Sequence, residues 1–444
     1  MHDWSGKRVT VMGLGRFGGG LAVTRYLARR GATVLLTDLA DEQALAGPLK
    51  QLKPLIDQGK VRLRLGTHEP VDFTAADTVV ANPAVPKPWE NRYLNAAREA
   101  GVPITTEIQL GIDYLDPSRI IAVTGSAGKS TTSAMTHAAL VAASMPTILA
   151  GNIGTSILDR LDDLTEDTIS VLEISSAMLH WLQGFAPAVA VVTNCTENHT
   201  DWHGSFDHYQ ASKRSILAHQ PPGAAAILDE TLADWSSQPG VQQTILTHSD
   251  RIERCTTPGA HNARNAVFAV AAATAVLNQC RITADQSTIT QAVREFPGLP
   301  HRLSLCHEAN GIRFYNDSKC TVPGATLLAI SALSETIDPS RIHLIAGGYD
   351  KGSDLQPIAD LASSLSGLYT IGVTGKHLAD TASSNAAYCV DLDSAMRTIM
   401  QRTKPGDAIL LSPGCASWDQ FTNYEQRGDR FRDLAVALTE PAKC

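Results

Sequence analysis

Thr124-Gly125-Ser126-Ala127-Gly128-Lys129-Ser130-Thr131 follows an apolar run, Ile120-Ile121-Ala122-Val123, and precedes residues patterned as a helix from Thr132 to Ala143. Strand, glycine turn, Lys-Ser-Thr and helix in that order make a phosphate cradle. The turn amides and the helix N-terminus face an anion, Lys129 brings a mobile positive charge, and a hydroxyl is available for Mg²⁺. The common nucleotide loop has another glycine five residues before Gly128, and Val123 stands there. The shorter G-x-x-G-K-S/T spacing narrows the choice of families. A tight turn before an amphipathic helix is the plain alternative, and the attached Lys-Ser-Thr argues for phosphate.

Outward from this loop, short apolar runs alternate with helical patterns, which predicts α/β architecture with parallel sheets covered by helices. At 444 residues the chain is too long for one ordinary core, and length alone suggests about three domains. Breaks at Asp116-Pro117-Ser118 and Pro297-Gly298-Leu299-Pro300 divide it into 1–117, 118–297 and 298–444. The expected units are a Rossmann-like first domain, a central phosphate-loop ATPase sheet and a Rossmann-like third domain. Strands are expected at Arg8–Met12, Thr33–Thr37, Val61–Leu65, Thr78–Ala81 and Pro103–Thr105 in the first. In the second they are expected at 120–123, Ile169–Ile174, Ala188–Asn194 and Ala224–Leu228. The third has Ile312–Asn316, His343–Ala346, Tyr369–Ile371 and Ala408–Leu411.

The net charge of −8 and the lack of a basic stripe argue against nucleic acid as a partner. No apolar run is long enough to cross a bilayer, and Met1-His2-Asp3-Trp4 lacks a signal-peptide pattern, so a cytoplasmic monomer is expected. The eight cysteines are scattered without metal spacing and read as reduced thiols.

Two further constellations carry chemistry. Gly13, Gly15 and Gly18, with Asp38 twenty residues beyond, form a dinucleotide fingerprint that equally suits a nucleotide sugar. A second phosphate loop in the same chain argues against a simple NAD dehydrogenase. Leu172-Glu173-Ile174-Ser175-Ser176 and Thr193-Asn194-Cys195-Thr196-Glu197-Asn198-His199 each put a polar group at the end of an apolar strand. A carboxylate, an imidazole and a hydroxyl from three strand ends can hold Mg²⁺ beside a triphosphate. Singly, Glu173 reads as an ion-pair member and His199 as a hydrogen-bonded loop residue; their shared position favours metal.

At this point the chain resembles the Mur ligases of peptidoglycan synthesis, which share the folylpolyglutamate synthetase fold. The resemblance spans nearly the whole chain through TGSAGKST (124–131), GNIG (151–154), LEISS (172–176), HNARNA (261–266), GLPHR (298–302) and NDSK (316–319). The long segment LSPGCASWDQFTNYEQRG (411–428) points to the D-glutamate-adding branch. The resemblance implies an ATP-dependent amide ligase using two Mg²⁺ ions, with UDP-N-acetylmuramoyl-L-alanine and D-glutamate as substrates. Gly125 to Thr131 would bind ATP phosphates, with Lys129 on the β- and γ-phosphates. Ser130, Glu173, His199 and a carbamylated Lys213 would serve the metal. Asn262 and Asn265 would lie on the adenine side. Arg302 and Asp317 would reach phosphate and ribose, with Lys319 near the reacting phosphate and the third domain swinging closed over ATP. Gly15, Arg16 and Asp38 would hold the UDP moiety, and Asn152 the region of the reacting carboxylate. Thr321, Lys351, Ser417 and Tyr424 would bracket D-glutamate.

The sequence departs from that pattern at Asn198, where an acid is usual, at Ala177-Met178, at Cys320-Thr321-Val322, and in a shortened stretch from Ala224 to Pro258. Another amino-acid-adding or folate-type ligase, and a nucleotide-sugar-binding relative without catalysis, therefore remain open alternatives.

Overall fold

The computed structural model describes residues 3–15, 18–382 and 384–440. The chain divides into two compact units, Met1–Asp250 with Val267–Ala292, and Arg251–Ala266 with Val293–Cys444.

The first unit carries two sheets. One contains β1 (Arg8–Met12), β2 (Thr33–Asp38), β3 (Val61–Leu65), β4 (Thr78–Ala81) and β5 (Ile104–Thr106), in the order β3-β2-β1-β4-β5 and all parallel. Strand order reverses between β1 and β4, and doubly wound sheets open a ligand crevice at such a switch point. The glycine turn after β1 stands there. Gly20, in the helix Gly19–Arg29 that follows, lies so close to the turn that a Cβ would meet Leu14 O at 2.3 Å and Gly13 O at 2.4 Å.

The other sheet contains β6 (Ile120–Thr124), β7 (Thr147–Gly151), β8 (Ile169–Glu173), β9 (Val189–Val192), β10 (Ala225–Asp229) and β11 (Gln242–Leu246). Its order is β11-β10-β9-β6-β8-β7, again all parallel. Strands β6, β8, β9 and β10 are buried throughout. That is why they read as continuous apolar runs rather than alternating ones. The helix after the phosphate loop spans Lys129–Ala142, three residues earlier at its start than the apolar pattern suggests, because Gly128 in a left-handed conformation (φ 82°) is its N-cap.

The second unit's sheet contains β12 (Ser304–Ala309), β13 (Ile312–Asn316), β14 (Ile342–Gly347), β15 (Gly367–Ile371), β16 (Ala386–Val390) and β17 (Ala408–Leu411), in the order β12-β13-β17-β14-β15-β16. It is mixed, and the expectation of a wholly parallel sheet fails at one edge. Strands β12 and β13 form an antiparallel hairpin. Its two-residue turn, Asn310-Gly311, has positive φ at both positions (55° and 74°), the Asn-Gly chemistry that favours such hairpins.

Substituting Gly20→Ala should force the Gly19–Arg29 helix off the turn and lower stability by about 1–3 kcal/mol, as overpacking does. Gly47 lies within the helix Ala46–Asp57 and has open space around it, so Gly47→Ala should be neutral or gain up to about 1 kcal/mol. Urea midpoints of the two variants measure the contrast.

Candidate functional site

Register builds the site in the first unit. In the central sheet β6 lies between β8 and β9, with Val123 opposite Glu173 and Thr124 opposite Val192. The phosphate loop leaving β6 is therefore flanked by Glu173 on one side and by the segment from Thr193 to His199 on the other. Asn194 closes the loop: its Oδ1 accepts from Ser126 N (3.0 Å) and Ala127 N (2.9 Å). Those two amides are thus engaged within the protein, and the anion-facing amides are left to the first turn of the Lys129–Ala142 helix. Gly125 cannot be replaced without cost, since a Cβ would stand 2.0 Å from Thr193 Oγ1. Lys129 Nζ curls over the loop onto Gly125 O (2.9 Å) and Ser126 O (3.2 Å).

Beneath the loop lie two buried groups of opposite charge type. Glu173 is 1% exposed, and its Oε1 accepts from Asn152 Nδ2 (3.0 Å). Its Oε2 is buried with no hydrogen-bond partner among the described residues. An orphan carboxylate oxygen is costly in a protein interior, and a cation satisfies it. Among the described residues no cluster of three His, Cys, Asp or Glu side chains forms a ready-made metal centre. The fit to Mg²⁺ therefore rests on this oxygen, with the hydroxyl of Ser130, the His199 imidazole and Lys213 around the same loop. Lys213 is also 1% exposed; its Nζ donates to Gly125 O (2.8 Å) and lies 4.7 Å above the Tyr209 ring. Burial, with repulsion from Lys129, pushes its ammonium down to about 7, only partly offset by Cys195 and Glu173. A neutral amine fraction therefore exists at neutral pH.

His199 occupies a left-handed turn (φ 52°). Asn198 Oδ1 accepts its backbone N–H (2.8 Å), a bond that needs only an acceptor oxygen, so Asn serves where the resemblance expected an acid. Burial lowers the imidazole's pKa, and Lys129 and Lys213 lower it further against the pull of Asp201.

The first glycine turn opens on a cavity of about 600 Å³ that Lys129, at the end of the phosphate loop, also lines, together with Gly13, Gly15, Asn82, Asn152 and His199. Glu107 faces it too. Burial pushes its carboxyl up to about 7, although Ser156 hydrogen-bonds it. Asp38 lies outside the lining. Its Oδ2 accepts from Leu14 N (2.9 Å) and Gly15 N (3.3 Å), and its Oδ1 from Ala40 N (2.9 Å), so it shapes the turn.

In the second unit three strand ends converge, because β17 lies between β13 and β14. Asp317 follows β13; its carboxylate accepts from Leu303 N (3.0 Å) and Ser412 Oγ (2.7 Å), and burial still pushes it up to about 7. Lys319 Nζ lies 5.1 Å above the Tyr424 ring. Thr321 and Lys351 line one small depression with Tyr349 and Asp350. Ser417 is buried two residues beyond Cys415, which lines that depression, and lies outside the lining itself.

Three family patterns match the chain: "Mur ligase MurD-like, N-terminal domain" over residues 7–106, "Mur ligase middle domain" over 123–251, and "Mur ligase, glutamate ligase domain" over 301–415. The UDP-N-acetylmuramoylalanine--D-glutamate ligase of Geobacter metallireducens is 36% identical, with 98% of each chain covered. The enzyme of the same name from Acidobacterium capsulatum is 37% identical, covering 98% of this chain and 97% of that one. The chain belongs to the Mur ligase family. At the level of fold it is similar to the crystal structure of UDP-N-acetylmuramate-alanine ligase from Thermotoga maritima, with a TM-score of 0.60 and 18% identity over 97% of this chain and all of that one.

As a Mur ligase, the chain brings together in its first unit Gly15, the loop 125–131, Asn152, Glu173, His199 and Lys213. Arg16 lies outside the described residues. Asn262 and Asn265 belong to the second unit; Asn262 Nδ2 donates to Pro258 O (2.8 Å) and Asn265 Nδ2 to Asn262 Oδ1 (3.3 Å). Arg302, on the turn before β12, is exposed. Sequence reasoning passed over four residues. Asn194 holds the loop shut. Tyr209 hydrogen-bonds Ser126 Oγ (2.7 Å), and its spacing of four before Lys213 on one helix was the available signal. His301 contacts Asn316 Nδ2 (3.2 Å). Arg427, 1% exposed, donates to Ser318 O, Ser318 Oγ, Cys415 O and Ala416 O. It thereby ties the Asp317–Lys319 segment to the one bearing Ser417.

Beside the cavity, His180, His203 and His208 pack with Trp89 and Trp202, and His203 Nδ1 lies 2.9 Å from His208 Nδ1. Burial, then repulsion within the cluster, lowers His180 and His203 to about 4. These folded values lie below the ordinary 6.5, so the unfolded chain binds more protons between them and stability falls as pH drops from about 6.5 towards 4. The melting temperature should decline over that window, and the decline should be shallower in His180→Phe.

Proposed function

We propose that the chain is an ATP-dependent amide ligase adding D-glutamate to UDP-N-acetylmuramoyl-L-alanine in peptidoglycan precursor synthesis, with residues 1–117 holding the UDP substrate, 118–297 ATP and Mg²⁺, and 298–444 the amino acid. The observation that carries the reading is the cavity lined both by the first glycine turn and by Lys129 of the phosphate loop. A UDP-linked carboxylate and a γ-phosphate must meet for such a reaction, and a glycine turn and the phosphate-loop lysine on one cavity meet that demand. A dehydrogenase fused to an ATPase has no reason to share one. The curated relatives' D-glutamate specificity and the segment 411–428 support the choice of amino acid.

A carboxylate oxygen of the UDP substrate attacks the γ-phosphorus of ATP, the bond to the β–γ bridging oxygen breaks, and ADP leaves an acyl phosphate. The D-glutamate amine then attacks the acyl carbon. The tetrahedral intermediate expels phosphate as the amine loses a proton, and an amide remains. Lys129 counters charge on the transferring phosphoryl group, the source of most phosphoryl-transfer catalysis. Asn152 orients the reacting carboxylate while fixing Glu173. Ser130, Glu173, His199 and a carbamylated Lys213 would hold Mg²⁺, which when bound supplies further neutralisation of phosphate charge. Carbamylation needs an uncharged amine, and the lowered pKa of Lys213 supplies it: nitrogen adds to carbon dioxide and one proton is released. Thr321, Lys351, Ser417 and Tyr424 receive the D-glutamate carboxylates.

Phosphate release should require ATP, UDP-N-acetylmuramoyl-L-alanine and D-glutamate together; equal release with ATP alone would sink the reading. Lys129→Ala should lower kcat by at least about a hundredfold, as loss of a phosphoryl-transfer charge does. Lys213→Ala should be inactive and partly rescued by short carboxylic acids. Lack of rescue argues against the carbamate.

A further inference from the structure

Trp202 ties two walls of the cavity together. Its backbone N–H donates to His199 O (3.1 Å), and its carbonyl accepts from Lys87 N (3.1 Å). Its indole Nε1–H donates to Pro83 O (3.0 Å). Pro83 follows β4 and lines the cavity beside Asn82 and Ala84, while His199 lines it from the central sheet. The loop that reaches Trp202 is itself held in an uncommon shape, with Lys87 in the left-handed region (φ 42°). Trp89 at its far end packs edge-on against the Trp202 ring, with centroids 6.0 Å apart.

Filling space alone does not account for this residue. Trp202 is 7% exposed; a phenyl ring would occupy most of the volume but would bring no N–H donor to that point. Trp181 supplies the contrast. Its Nε1 is buried with no hydrogen-bond partner among the described residues, so its N–H contributes nothing that a phenyl ring would lose.

We propose that Trp202 is a positioning residue: it locks the loop 82–89 against the His199 turn, so that the nucleotide sugar and the γ-phosphate are presented to each other in one fixed geometry. This rests on the ligase reading above. The consequence is selective. Loosening the Pro83 side should weaken hold on the UDP substrate while leaving the amino acid, which is received in the second unit, unaffected.

The test compares Trp202→Phe with Trp181→Phe in the full chain, measuring melting temperature, kcat and the three KM values, together with calorimetric titration of UDP-N-acetylmuramoyl-L-alanine. Trp202→Phe is expected to raise KM and Kd for that substrate about three- to tenfold, the range for one lost hydrogen bond, with KM for D-glutamate within about twofold on the same scale. Trp181→Phe is expected to match the wild type. An unchanged KM for the UDP substrate in Trp202→Phe overturns the proposal, and so does a uniform rise of all three constants with a lowered melting temperature. A wild-type chain that binds the UDP substrate without ligating D-glutamate overturns the ligase reading alone, and the titration of Trp202→Phe then decides the role of Trp202. A wild-type chain that does not bind it overturns both.

Discussion

Parallel pairing of β6 with β8 and β9 is the constraint on which the first unit's chemistry depends. Ile174 N donates to Val123 O (2.9 Å) and Thr193 N to Thr124 O (3.1 Å), so the backbone itself sets how far Glu173 and Asn194 stand from the phosphate loop. Side chains alone would not hold that geometry. The strands are buried on both faces, and each fully buried Ile or Val contributes about 1.5–3 kcal/mol. That apolar stabilisation lets the sheet carry Glu173 and Lys213 at its end, where burying a charge otherwise costs several kcal/mol.

The same logic recurs in the second unit with a different device. There β17 separates β13 from β14, and the loops leaving β13 and β17 are joined by the guanidinium of Arg427. Burial lowers that group to about 10, yet it stays charged at neutral pH and satisfies four oxygen acceptors. In the first unit a neutral amide, Asn194, closes the loop; in the second a cation does. The two loop assemblies differ in electrostatics as well as in sequence, and they meet different ligands in the proposed reaction.

Legibility followed burial. The strands read correctly from sequence include every fully buried strand of the central sheet, because a run of apolar residues survives whatever the neighbours do. Four strands were missed, β7, β11, β12 and β16, and each is the edge of its sheet. An edge strand has one partner and a partly exposed face, so Gln242–Leu246 looks polar and Ser304–Ala309 looks mixed. One of the four had a local signal, the Asn310-Gly311 turn, which was passed over. In the site, the glycine loops and strand-end polar residues were visible because their chemistry is written in adjacent residues. Asn194, Arg427 and Trp202 were not, since each acts on segments tens or hundreds of positions away.

By itself the sequence determined the α/β class, the two glycine loops, the polar residues at strand ends and the likeness to a ligase family, because each of these is a local pattern of residue type and spacing. Only the tertiary structure decided that the first glycine turn and Lys129 line one cavity, that Asp38 supports its turn instead of lining that cavity, and that Glu173 keeps one carboxylate oxygen without a partner among the described residues, beside a lysine lowered to about 7. Those facts depend on which strands become neighbours and on what burial does to charge, and neither is a property of any short stretch of chain.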